Sequence, residues 1–167
     1  DRTGFGMMML SLRAELRLLE RLAGETLTEC GPELLTPPGH RLGAMNFFVR
    51  EMLGALFLGD DDEVIALIDA ASGAVALGPM RLYAQDFHFC AALALLKRAE
   101  LERARPYVDR FLSWGAHATH NFGPRMRLVE AEVARVEGRG ADASRGYDAA
   151  VSLARAVGSL GDAGLAS

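Results

Sequence analysis

Apolar residues recur along this chain at intervals of three and four, the period of a helix buried on one side. The clearest stretch is "LVEAEVARVEGRGADASRGYDAAVSLA", residues 128–154. Its second half, continued to Val157, places Ala143, Tyr147, Ala150, Ala154 and Val157 on one stripe. Arg145, Asp148, Ser152 and Arg155 take the opposite side. The first half carries two stripes, Val129–Val133–Val136 and Leu128–Ala131–Ala134, so that helix is expected to have neighbours on two sides. Gly138 and Gly140 can break the first helix, and Asp142 stands at the start of the second. The stretch therefore predicts a helix–turn–helix hairpin whose Ala and Gly side chains let two helices approach closely. Period-two alternation never survives more than four or five residues, so no strand is expected.

The pattern repeats. "MLGALFLGDDDEVIALIDAA" (52–71) has Gly59 at a turn, then Val64, Ile68 and Ala71. "ALALLKRAELERARPYVDRF" (92–111) has Ala99 at the turn, then Ala104, Val108 and Phe111. The first stretch has Gly138, Ala143, Tyr147 and Ala150. All three sets share the same offsets from the turn residue. They recur about every 40 residues, longer than a tetratricopeptide unit and within the range of helical-hairpin solenoids. The expected fold is all-α: a right-handed α-α superhelix of about three tetratricopeptide-like hairpins, 42–78, 80–117 and 121–158, with an N-terminal helix over 7–24. Two links, 72–81 and 117–125, absorb the extra length, with Gly78–Pro79 and Gly123–Pro124 as turn or helix-start signals. Residues 25–41, with Pro32, Pro37, Pro38 and Gly39, read as an irregular link. The N-terminal helix is expected to pack on the first hairpin.

Composition narrows the class. The chain has 167 residues, half of them apolar and 24% charged, enough for one globular region, 1–167, with a real core. Aromatics make up only 7%, so Ala and Leu must do most of the packing. The net charge of −4 offers nucleic acid no generally basic surface. Lys97 is the sole lysine, which reads as compositional bias. Cys30 and Cys90 are too few for a disulfide framework and read as free thiols in a reducing, cytoplasmic setting. No apolar run has the length of a membrane span, and "FGMMML" lacks the architecture of a signal peptide. The chain starts without Met and stops at "GDAGLAS", where a new helix begins, so it reads as a piece of a longer polypeptide. Its last hairpin is then expected to expose an apolar side and to promote self-association.

Candidate chemistry is sparse. His40, His88, His117 and His120 share no ligand spacing with one another or with Cys90, so no metal site is expected. "GDDDE" (59–63) lacks the alternating acids and central Gly of a calcium loop; its carboxylates favour the positive end of a helix dipole instead. Glu130 and Glu132 point to different faces of one helix, and Glu132–Arg135 reads as a surface pair. Trp114 falls on the last turn of a hairpin's second helix. No phosphate loop, zinc-protease motif or nucleophile elbow occurs. The segment is therefore expected to have no catalytic residue, no cofactor and no enzyme activity.

Three stretches carry a further pattern together: "FFVREMLGALFLGD" (47–60), "DFHFCAALALL" (86–96) and residues 111–158. The matching elements are the turn ending at Asp60, the run Phe87-His88-Phe89, Trp114, Asn121-Phe122, and "LVEAE" to Gly138 followed by Tyr147-Asp148. In order and spacing they resemble the tetratricopeptide-like helical region of large bacterial multidomain signalling proteins. The resemblance implies a parent chain with a serine/threonine-kinase-like segment, a predicted NTPase, this region, a GAF domain and a sensor histidine kinase. ATP binding and kinase activity would belong to the parent, and no functional residue carries over. The function implied is a scaffold for protein–protein or interdomain contacts, coupling the NTPase to the histidine kinase in signal transduction. The alternative is a ligand- or partner-sensing helical arm of an NTPase-type transcription regulator. Partners are thus domains of the same parent chain or a protein or peptide, with no role for nucleic acid or membrane.

Overall fold

A computed structural model describes residues 2–25, 41–75 and 81–167. It is all-α, and among the described residues there is no strand. The helices are α1 (Arg2–Ala23), α2 (Arg41–Phe57), α3 (Asp61–Val75), α4 (Arg81–Lys97), α5 (Leu101–Gly115), α6 (Thr119–Val136), α7 (Gly140–Ala156) and α8 (Leu160–Leu165). They gather into two compact units, Asp1–Cys90 and Ala91–Ser167, and the division falls inside α4. The irregular link expected over 25–41 lies almost wholly outside the described residues, with Cys30 and His40.

One turn recurs throughout. Gly24, Gly59, Ala99, Gly138 and Gly158 all have φ between 58° and 77°. At each, the helix end is closed by the same two hydrogen bonds. Gly59 N–H donates to the Leu56 carbonyl and Asp60 N–H to the Ala55 carbonyl, at 3.2 and 2.8 Å. At the next such end Ala99 donates to Leu96 and Glu100 to Leu95, both at 2.9 Å. A left-handed residue closing paired bonds of this kind satisfies carbonyls that a helix end leaves open. Ala99 adopts this conformation with a Cβ, at a steric cost that glycine avoids. The turn between α5 and α6 is different: Ala116 has φ −58° and no left-handed residue occurs there.

In the first unit α1 lies along α2 in the same direction. Glu15 pairs with Arg50, Arg17 with Glu51, and Arg21 with both Glu51 and Glu63. Ala14 is fully buried in that contact. A Cβ on Gly54 would meet Leu18 and Arg21, so glycine sets how closely the helices approach. The α2–α3 hairpin buries Met45, Val49, Met52, Leu56, Val64 and Ile68. Asp60 caps α3, its carboxylate accepting the Glu63 backbone N–H at 3.0 Å. Asp61, Asp62 and Glu63 occupy the first turn, where the helix dipole favours negative charge.

The second unit uses smaller side chains. Residues 91–96 of α4 are all buried, as are Ala104, Val108 and Phe111 of α5. Helices α6 and α7 form a tight hairpin that buries Leu128, Val129, Ala131, Ala134, Ala143, Ala150 and Ala154, with Tyr147 half-buried. A Cβ on Gly146 would stand 2.7 Å from the Ala131 Cβ and 3.1 Å from its Cα. Only glycine allows that approach. Helix α6 starts at Thr119 rather than after the Gly123–Pro124 signal, which lies inside it. Pro124 is the sixth residue of α6, past the first turn, so it removes one intrahelical hydrogen bond there. Helix α8 is held by Arg125, whose Nε donates to Asp162 at 2.8 Å, while the Ser159 hydroxyl donates to the same carboxylate. Leu153 on α7, Val157 at its C-cap and Leu160 on α8 remain exposed, so Val157 leaves the buried stripe of Ala143, Ala150 and Ala154.

Candidate functional site

Helices α5, α6 and α7 enclose a groove of about 660 Å³ within the second unit. Each contributes residues at helical spacing: Leu101, Arg105, Val108, Asp109 and Leu112 from α5; Arg127, Glu130, Ala131 and Ala134 from α6; Asp142, Arg145, Gly146 and Ala149 from α7. Val133 and Arg139 complete the lining. The floor is apolar because the helices meet there through Ala131, Ala134 and Gly146, and small side chains leave the space above them open. The rim is charged. Arg127 pairs with Glu130 at 2.9 Å, Arg139 with Asp142 at 3.0 Å, and Arg145 with the same Asp142. Arg105 reaches Glu102 and Arg139 also reaches Glu137. The Arg139 guanidinium is pushed up from its ordinary range, first by its hydrogen bond to Glu137 and then by that to Asp142. These pairs are well exposed, so each contributes little to stability and can be exchanged for a ligand's charge at small cost.

A second arrangement lies on the other side of the α6–α7 hairpin. Glu132 accepts hydrogen bonds from Tyr147 Oη at 2.7 Å and from Arg135 Nε and Nη2 at 2.9 and 2.7 Å. Arg135 Nη2 also donates to the Leu96 carbonyl at the end of α4, at 2.7 Å. The Arg135 guanidinium is pushed up by its hydrogen bond to Glu132. Burial pushes the Tyr147 phenol up to about 12, and its hydrogen bond to Glu132 adds to the effect. A phenol held protonated and a carboxylate that accepts three hydrogen bonds together brace the α6–α7 hairpin. The expected pair with Arg135 is present, but Glu132 is 8% exposed while Arg135 is exposed, so the pair reaches inward through Glu132 to Tyr147. Beside it is a smaller cavity of about 380 Å³, lined by Glu132, Tyr147, Asp148, Val151 and residues 165–167.

The structure separates the other candidates. Glu130 lines the groove while Glu132 turns away from it, as their spacing required. His88 lies on α4, His117 in the α5–α6 turn and His120 at the start of α6. Among the described residues no group of three His, Cys, Asp or Glu side chains could hold a metal ion. Cys90 is a fully buried thiol. Trp114 is half-buried on the last turn of α5, with the Arg110 guanidinium 5.4 Å from its ring centroid. Among the described residues no helix is long and apolar enough to cross a membrane. Sequence reading missed the groove, although its signal was present: charged residues at 105, 109, 127, 130, 142 and 145 flank Val108, Ala131 and Gly146.

Comparison of the chain with protein-family models, curated proteins and solved structures found no match.

Proposed function

We propose that this chain is a non-catalytic helical-repeat scaffold that holds a peptide or a neighbouring protein segment in the α5–α7 groove. The groove carries the reading. Its floor is apolar, its rim offers arginines and carboxylates in exchangeable pairs, and its volume admits several side chains. A right-handed α-α superhelix of tetratricopeptide-like hairpins belongs to the same reading. Its support is the recurrence of one left-handed turn residue followed at fixed offsets by Val64, Ile68 and Ala71, by Ala104, Val108 and Phe111, and by Ala143, Tyr147 and Ala150. In a cytoplasmic signalling chain such a module would couple an NTPase to a sensor histidine kinase through the segment it grips. This step rests on the resemblance and on architecture, which suit contact-making. The groove's volume also lies in the range of small-molecule sites, which favours a ligand-sensing arm as the second reading.

Selection of a random peptide library displayed on phage against the whole chain tests the first reading. Enriched peptides should combine apolar with charged residues, and should lose binding to Ala149→Arg, which fills the groove from α7. Enrichment that ignores this substitution, or no enrichment at all, would overturn it.

A further inference from the structure

Helix α1 is held on one side by α2 and carries an apolar face on the other. Ala14, Arg17, Leu18 and Arg21 face α2 and are fixed there by the Glu51 and Glu63 ion pairs and the close contact at Gly54. The other side carries Leu12, Leu16, Leu19 and Leu22, which are 55, 46, 63 and 44% exposed. Single exposed leucines are ordinary; four on one helix face are a patch. Leu12, Leu16, Leu19 and Ala23 stand at intervals of four, three and four, the spacing of a seam where two helices interlock. The ion pairs on the α2 side prevent α1 from rolling to hide them.

We propose that this face of α1 docks on the same face of a second copy of this chain, the two helices running antiparallel. The charges flanking the seam select that occupant and direction. Antiparallel pairing about a two-fold axis between positions 17 and 18 sets Leu16 against the partner's Leu19, and Leu12 against the partner's Ala23. The same register brings Arg13 alongside the partner's Glu20, and symmetry repeats the contact. Parallel pairing would instead bring Glu15 beside the partner's Glu20 twice, a like-charge contact. The inference does not depend on the groove, since every residue of the seam lies on α1.

Sedimentation velocity on the whole chain over a range of concentrations tests it. A reversible dimer is expected, and Leu16→Glu with Leu19→Glu should raise its dissociation constant by about tenfold or more while far-ultraviolet dichroism stays unchanged. Arg13→Glu should weaken the dimer, and Arg13→Glu with Glu20→Arg should restore it. A chain that stays monomeric throughout overturns the proposal. So does a dimer indifferent to the leucine substitutions, which would place the contact elsewhere, such as the exposed Leu153, Val157 and Leu160. A dimer that responds to the leucines but not to the charge reversal would overturn the antiparallel direction.

Discussion

Both units seat a glycine where helices meet, Gly54 in the first and Gly146 in the second, but they hold the helices there by different means. In the first, α1 is tied to α2 and α3 by a cluster of charge: Arg17 and Arg21 converge on Glu51, and Arg21 also reaches Glu63. The core behind it is filled by large side chains such as Met45, Met52 and Phe87. In the second, α6 and α7 approach until Gly146 rests on Ala131, and the three buried side chains of α7 are all alanine. Charged clusters tolerate some sliding, because long arginine side chains adjust. A glycine–alanine contact fixes spacing closely but leaves little apolar mass above it, and it is there that the groove opens. The small contacts of this unit therefore leave room for a ligand.

Four substitutions sharpen this contrast. The largest expected effect is in the first unit. Glu51→Ala leaves two nearly buried guanidinium groups without their shared acceptor and should cost about 3 kcal/mol. Chemical denaturation measures the loss. Hydrogen exchange should locate it in α1 and α2, with protection of α6 and α7 retained. Gly146→Ala is the counterpart, and should cost about 2 kcal/mol because the new methyl meets the Ala131 backbone as well as its side chain. Ala131→Gly in that background should recover part of the loss in a double-mutant cycle; additive losses would mean that the two residues are not in contact. The smallest effect concerns the brace. Tyr147→Phe removes one hydrogen bond to a carboxylate and should cost about 1 kcal/mol. It should also change the alkaline limb of the stability profile. The folded phenol is raised to about 12 from 10.0, so between these values the unfolded chain has lost the proton that the folded one keeps. The contribution is fully present below pH 10 and is lost as pH rises toward 12, and the Phe variant should flatten that decline.

How much of this was legible depended on whether the cause was local. The turns at Gly59, Ala99 and Gly138 are local: a helix must stop and its next residue must go left-handed. The buried stripes were legible because they are periodic. The start of α6 was not. Gly123 and Pro124 carry the signal of a break, yet Pro124 is buried within the helix, and tertiary contact decides against propensity there. Glu132 looked like half of a surface pair because its partner Tyr147 lies fifteen positions away, across a hairpin. The groove was legible only in part: charged residues flank Val108, Ala131 and Gly146 along the chain, but nothing there brings them together. It needs α5 set against the α6–α7 pair, and no single helix records that placement.

The left-handed turns have one more consequence. After Gly59, Ala99, Gly138 and Gly158, helix resumes after a single intervening residue. With 3.6 residues per turn, one inserted residue would swing everything downstream by about 100° about its axis. Alanines would then face water and arginines the interior. These connections act as phase locks, and change in chain length there should be far less tolerated than change in residue identity.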